Sequence, residues 1–353
     1  MLRALGALGA ALGAPALGAA RKVAFPEVVP DHRLVFPRDE GAHPGFRIEW
    51  WYITGWLGPQ TRGFQITFFR ARNEYVTDNP SRFTPRQILF AHAALADPQV
   101  GHLLHDQHAA REGFTLAAAE QGRTGVWIDD WRLEQTGDGY RSVIPAREFV
   151  LALSFQSARP PLLQGDDGYS RKGPRLREAS YYYSRPQLEV SGSIVQGRSR
   201  TPVHGRAWFD HEWSSTYLPP EASGWDWIGV NLDDGGALMA FVMRARTGGV
   251  LYAGATLMRS DGSKRSVGPR AVRFVPTRRW RSPRTGVEYP VAMRVEVEGA
   301  SWNLEPLMDD QELDSRLSTG TIYWEGAVRV TRDGREVGRG YLELTGYWRP
   351  MTL

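Results

Sequence analysis

The stretch from Val203 to Asp234, VHGRAWFDHEWSSTYLPPEASGWDWIGVNLDD, concentrates side chains that do chemistry. It holds the acids Asp210, Glu212, Asp226 and Asp233, the imidazole of His211, and the indoles of Trp208, Trp213, Trp225 and Trp227. Acids and indoles mixed so densely predict the wall of a pocket. An Asp held against indole rings loses the water that stabilises its carboxylate, so its pKa rises and it stays available as a proton donor. Asp210 is therefore the candidate catalytic residue, with Trp208, His211, Trp213, Trp225 and Trp227 as candidates for lining the substrate. The bland alternative is an Asp that caps a turn or pairs with an Arg.

If Trp208 to Glu212 is extended, Trp208, Asp210 and Glu212 share one face, and Phe209, His211 and Trp213 share the other. Asp210 and His211 then form no acid–base dyad unless a bulge re-aims one of them. Upstream, Ala179 to Gly192 (ASYYYSRPQLEVSG) places Tyr181 and Tyr183 on one strand face and Tyr182 on the other. If this strand neighbours the Asp210 strand, the Tyr181 and Tyr183 face is expected to look into the same cavity as Asp210. Phe46 to Leu57 (FRIEWWYITGWL) carries bulky aromatics on both faces, which predicts a strand covered on both sides. Glu49 and Trp51 on it join the substrate-lining candidates, although Glu49 also reads as a structural partner for Arg47 or another Arg.

Other combinations carry less. His102-Leu-Leu-His105-Asp-Gln-His108 has the composition of a metal site but not a closed zinc spacing, so it is read as a polar loop and no metal is assigned. His92, among small apolar residues, reads as a core histidine. Gly165 to Glu178 (GDDGYSRKGPRLRE) reads as a lid or rim loop. Its Ser170, taken with His211, Glu212 and Asp226, keeps a secreted hydrolase open as a third reading, although no G-x-S-x-G elbow is present. The basic run Thr277 to Arg284 (TRRWRSPR) is read as a solvated loop.

The elements that must position these groups are strands. A chain of 353 residues exceeds a single core, and 38 Gly and 23 Pro suit an all-β protein with many turns. Strand-like runs recur through both halves, with one helical turn expected at Asp309 to Arg316 (DDQELDSR). Pro219-Pro220 cannot continue a sheet ladder and is read as the joint. Met1 to Ala20 reads as a signal peptide, which places the expected mature chain in the periplasm or outside the cell. No later run is long enough to span a membrane. The absence of Cys excludes a disulfide framework, and a formal charge of +4, dispersed along the chain, argues against a nucleic-acid partner.

The segments HPGFRIEWWYITGWL, YSRKG, YYYSRP, GRAWFDHEWSS, GWDWIGVNLDDG and GYLELTGY occur in an order that resembles the carotenoid 1,2-hydratase (CrtC) and AttH-like family of secreted lipocalin-like proteins. The resemblance runs from about His43 to the C-terminus. It implies two tandem lipocalin-like antiparallel β-barrels, residues 35–218 and 219–353, with a ligand cavity near their contact. The family includes hydratases that add water across an isoprenoid double bond, fungal relatives that assist pericyclic cyclisations, and bacterial members beside export systems. Its hydratases use an Asp two residues after a Tyr, with a His-x-Trp pair on the preceding strand. Here Asp210 matches the acid, Trp208 stands in place of that Tyr, and Tyr181 and Tyr183 stand where the His and Trp would be. What the resemblance implies is a cofactor-free hydratase or lyase, in which Asp210 protonates a C=C bond of a lipophilic small molecule and aromatic rings stabilise the cation. The rival is a non-catalytic periplasmic carrier of a lipophilic ligand, serving an export-system partner.

Overall fold

The structure, a computed structural model, describes residues 22–76, 79–81 and 83–352. The leader expected at Met1 to Ala20 lies outside the described residues. The protein is all-β and built as two lipocalin-like barrels. In the first sheet the antiparallel order is Leu103–Arg111, Gln87–Ala96, Arg62–Arg72, Ile48–Gly58, Ser199–Ser214, Ala179–Gln196, Val150–Gln156, Gly139–Pro145, Trp131–Thr136, Gly125–Ile128 and Ala117–Ala119. The sheet curls until Gln87–Ala96 and Leu103–Arg111 come against Gly125–Ile128, which nearly closes the barrel. Curling hides edges that would otherwise present unpaired backbone groups.

The second sheet runs Lys264–Val267, Val250–Met258, Ala237–Ala245, Ala222–Leu232, Arg335–Leu344, Ile322–Arg332, Ala300–Pro306, Glu288–Val297 and Val272–Arg281. The chain passes from one sheet to the other between Ser214 and Ala222, through Pro219-Pro220. Among the described residues the helical elements are two 3-10 turns, Arg38–Glu40 and Pro269–Ala271, and no helix is long and apolar enough to cross a membrane.

Ile48–Gly58, residues 207–214 of Ser199–Ser214 and residues 179–184 of Ala179–Gln196 are buried on both faces, and this accounts for their aromatic density. Trp51, Ile53, Tyr183, Phe209 and Trp213 fill the first barrel. Tyr52, Trp56, Tyr182 and Trp208, from the alternate positions, join Trp227, Met239 and Phe241 of the second sheet in a layer between the barrels. Apolar area removed from water contributes about 25 cal/mol per Å², so this layer fixes the two barrels together as a core does. They pack tightly at Gly63, where a Cβ would stand 2.5 Å from the Ala327 Cβ and 2.6 Å from the Tyr341 hydroxyl.

Three local expectations are corrected. His102 to His108 is not a loop but lies mostly within the strand Leu103–Arg111. A spacing of three in a strand puts His105 and His108 on opposite faces. His108 stacks on Trp131 at 4.4 Å, while His105 Nε2 accepts from the Asp314 amide at 3.3 Å. The turn expected at Asp309 to Arg316 contains a short strand, Glu312–Asp314, paired with Ile322–Arg332. Most of the basic run lies in the strand Val272–Arg281, where Arg278 pairs with Asp309 at 2.7 Å and with Glu305. Opposite charges across the sheet surface let an exposed, charged sequence stay extended.

Candidate active site between the barrels

Register decides which side chains meet. Asp210 lies directly opposite Tyr52 on one neighbouring strand and Ser184 on the other, and Glu212 lies opposite Trp50 and Tyr182. Directly opposed residues share a face. Trp208, Asp210, Glu212, Tyr52, Tyr182 and Ser184 therefore face the second barrel. Glu49, Trp51, Tyr181, Tyr183, His211 and Trp213 face the interior of the first. The expectation that Tyr181 and Tyr183 share a cavity with Asp210 is thus corrected: Tyr182 does. The pairing shifts between Arg185 and Leu188, and a shift of that kind decides which face each tyrosine takes.

A cavity of about 310 Å³ lies on the Asp210 side, walled by both sheets. Tyr52, Tyr182 and Asp210 line it from the first barrel, and Trp225, Trp227, Tyr323, Glu325 and Glu343 from the second. It reaches solvent at the exposed residues Thr319, Arg349 and Thr352.

Asp210 is 3% exposed and accepts three hydrogen bonds. Tyr182 donates to Oδ2 at 2.8 Å, Ser184 to Oδ1 at 2.5 Å, and Trp208 Nε1 to Oδ1 at 2.7 Å. Trp227 Nε1 donates in turn to the Tyr182 hydroxyl at 3.2 Å, which fixes how that hydroxyl is presented. Burial pushes the Asp210 carboxyl up, the three donors pull it part of the way back, and the carboxyl titrates at about 7. An acid poised there is half protonated at neutral pH, the condition for efficient general-acid work.

The second barrel supplies two more carboxyls. Glu325 and Glu343 stand directly opposite each other on Ile322–Arg332 and Arg335–Leu344. Burial and the neighbouring Glu343 raise Glu325; burial and then Glu212 raise Glu343, which accepts from Trp225 Nε1 at 2.9 Å and reaches about 7. Beside them a chain of hydrogen bonds lies along the cavity wall: Tyr323 hydroxyl to His92 Nδ1 at 2.8 Å, His92 Nε2 to Ser318 Oγ at 2.8 Å, and Ser318 Oγ to Gln107 at 2.7 Å. His92 is a satisfied histidine, as its neighbours in the sequence imply, but it also lines the cavity.

Lys172 is buried behind Asp210. Its Nζ lies 2.8 Å from Glu212 and 3.0 Å from Ser170, with the Phe241 ring at 4.5 Å and the Tyr182 ring at 4.7 Å. The hydrolase grouping is not assembled. Ser170 accepts from Lys172, His211 lies on the opposite sheet face with Glu49, and Asp226 pairs with Arg244 at 3.0 Å against the core of the second barrel.

Glu49 pairs with Arg70 rather than Arg47. Arg70 Nε lies 2.8 Å from Oε2, while His211 Nε2 and His43 Nδ1 lie 2.8 and 2.7 Å from Oε1. Burial alone would raise the Glu49 carboxyl, but Arg70 and His43 hold it well below its ordinary value. His43, stacked on Trp213 at 3.7 Å, ties the N-terminal segment to the barrel. His43, Glu49 and His211 lie close enough to hold a metal ion. The Arg70 charge already answers that carboxylate, so the group is a buried ion network.

Of the residues picked out from the sequence, Asp210, Trp225 and Trp227 line the cavity, and Trp208 supports Asp210 from beside it. Tyr181, Tyr183, His211, Trp213 and Trp51 belong to the first barrel's core or its ion network. Glu49 touches the cavity but points its carboxylate into that network. The reading missed Tyr52, Tyr182, Ser184, Lys172, Glu325 and Glu343. For the two glutamates the signal was available, since each is an acid inside an otherwise apolar strand, YWEGAV and YLELTG.

A family model described as AttH-like matches residues 27–347. An AttH protein from Nitrosomonas europaea has a similar crystal structure, with TM-score 0.86 and 51% identity over 92% of this chain and 100% of that one. Kievitone hydratase from Nectria haematococca shares the fold at TM-score 0.68 and 13% identity, over 93% of this chain and 98% of that one. CghA does so at TM-score 0.53 and 16% identity, over 90% and 96% of the two chains. The search of curated protein sequences found no match.

Proposed function

Because the chain belongs to the AttH-like family, whose fold is shared with a hydratase, we propose that it is a cofactor-free hydratase or related lyase acting on a lipophilic alkene. We place it in the periplasm or outside the cell, on the strength of the leader-like Met1 to Ala20. One observation carries the reading: Asp210, titrating at about 7, sits in the wall of an aromatic cavity with three donors aimed at its carboxyl.

In this mechanism the protonated Asp210 gives its proton to one alkene carbon, and a tertiary cation forms at the other. The donors from Tyr182, Ser184 and Trp208 then stabilise the carboxylate left behind. They are preorganised for charge that appears only as the reaction proceeds, and such charge is what an enzyme must stabilise. The rings of Tyr52 and Trp227, edge to face at 5.4 Å, offer π density to the cation at about 1–2 kcal/mol each. Water adds to the cation and loses a proton, completing an alcohol.

The carrier reading is favoured by the same three donors, which also serve to hold an Asp immobile in a binding wall. The two separate in one experiment. Purified protein is incubated with a panel of trisubstituted isoprenoid alkenes in ¹⁸O-water, and the products are examined by mass spectrometry. The hydratase reading expects a labelled hydroxyl, with the rate falling by roughly 10²–10⁴ in Asp210→Asn. Binding without turnover, or an Asp210→Asn variant as fast as wild type, overturns it and supports the carrier.

A further inference from the structure

The mechanism above makes no use of the two acids that the second barrel brings to the cavity. Glu325 and Glu343 face it side by side, and among the described residues no basic side chain of the cavity wall answers them. Arg70 is committed to Glu49, Gln87 and the Phe46 carbonyl, and Arg349 bonds the Gly320 carbonyl at the exposed rim. His92 is held neutral by burial, with a pKa of about 3. Lys172 lies behind Tyr182, paired with Glu212.

Two polar atoms at this wall lack a well-formed hydrogen bond. Glu325 is 2% exposed and Tyr52 7%; Glu325 Oε1 and the Tyr52 hydroxyl make no hydrogen bond of good geometry among the described residues, although the Tyr52 phenol lies near enough to favour the ionised Glu325 carboxyl. Buried polar groups in folded proteins are nearly always well paired, so a carboxyl oxygen and a phenol left without a good hydrogen bond at a cavity wall have capacity for an occupant. The walls around them are aromatic: Trp225, Trp227, Tyr52 and Tyr323. Rings together with carboxyls and without a balancing cation are the composition that recognises an organic cation.

We propose that the cavity takes a ligand whose positive charge is embedded in apolar groups, held between the Glu325 and Glu343 carboxyls and the faces of Trp225 and Trp227. The proposal rests on the same cavity being the substrate site. Such a charge has two sources: a ground-state amine or quaternary ammonium, or the tertiary carbocation formed when an alkene is protonated. Binding a cation favours the carboxylate form of a neighbouring acid. The strongest influences on Glu325 are burial, Glu343 and the phenols of Tyr52 and Tyr323, and those on Glu343 are burial, the Trp225 N–H and Glu212; all but the two phenols and the indole N–H oppose ionisation. A bound cation reverses that balance, and the pair gives up a proton to solvent.

The test compares benzyltrimethylammonium with its neutral carbon isostere, neopentylbenzene, on the full chain near pH 7. Affinity is read from tryptophan fluorescence, and proton release from calorimetry in two buffers of different ionisation enthalpy. The expected result is a cation bound roughly tenfold tighter or better, with a proton released, and a preference reduced to about threefold or less in Glu325→Gln and Glu343→Gln. An isostere bound as tightly as the cation, or a cation bound without proton release, overturns the proposal. So does an unchanged preference in either Gln variant that melts cooperatively. The wild-type comparison decides by itself if neither variant folds. Cation preference without alkene hydration leaves an amine site and ends the hydratase reading; hydration without cation preference ends this proposal alone.

Discussion

The hydroxyl of Tyr182 stands 2.8 Å from Oδ2 of Asp210. It also accepts from Trp227 Nε1, so one phenol links the acid in the first barrel to an indole in the second. Tyr182→Phe removes a donor from the carboxylate and leaves the Trp227 N–H without its partner. The Asp210 carboxyl is then expected to titrate above its wild-type value of about 7. Stability falls by about 1–3 kcal/mol, the cost of a buried polar group left unpaired. A carboxyl titration followed by ¹³C NMR and urea denaturation read the two effects separately.

The strained ionisation of Asp210 has a pH signature. Its folded pKa lies above the ordinary carboxyl value, so the folded state keeps a proton that the unfolded chain has released. Stability contributed by this group is present at low pH and is lost as pH rises from about 4 through about 7, by about 4 kcal/mol in total. Asp210→Asn removes that part of the slope. Glu325 and Glu343 are raised in the same direction, so a smaller slope remains. Denaturation at a series of pH values, compared between wild type and Asp210→Asn, checks the sign.

How far the sequence could be read is clearest at these residues. The alternation around Asp210 was legible because a strand has a period of two, and it correctly separated Asp210 from His211. The all-β rhythm was legible from turn residues between apolar runs. Which tyrosine meets Asp210 was not, because the register of Ala179–Gln196 against Ser199–Ser214 depends on an irregularity after Arg185 that composition does not announce. Nor was the acid pair legible as a pair: Glu325 and Glu343 lie on different strands and meet only through pairing in the second sheet. The His102 to His108 segment failed for a related reason, since its histidines satisfy an interface and a ring stack rather than a metal.

Opposite in sign to Asp210 is Glu49, which Arg70 and His43 hold ionised inside the first barrel. Arg70→Met leaves that carboxylate buried without its main counter-charge and is expected to cost about 3–5 kcal/mol at neutral pH. Glu49 in the wild type stabilises the fold above its unfolded pKa and loses that contribution as pH falls through its lower folded value. In the variant the buried Glu49 lacks its main counter-charge, so its pKa rises and it takes up a proton as pH falls; the deficit should therefore shrink on acidification, measured as the difference in urea midpoint between pH 7 and about pH 4.

The contact between the barrels can be probed at Gly63. A Cβ there meets Ala327 at 2.5 Å and the Tyr341 hydroxyl at 2.6 Å, both from the second barrel. Gly63→Ala is expected to destabilise by about 1–3 kcal/mol through overpacking and to weaken ligand binding by shifting the cavity walls. Adding Ala327→Gly relieves one of the two clashes, so the double variant should recover part of the loss. Thermal melts of the four proteins form a double-mutant cycle with a favourable coupling.

The hydratase reading depends on a proton residing on Asp210 near neutrality, and infrared difference spectroscopy sees that proton directly. The protonated-carboxyl stretch is recorded across the acid-to-alkaline range for wild type and Asp210→Asn. A band absent from the variant and disappearing in the wild type with a midpoint of about 7 is the predicted result. A wild-type spectrum that matches the variant at mildly acidic pH, with Asp210 already ionised in the ordinary carboxyl range, would contradict it.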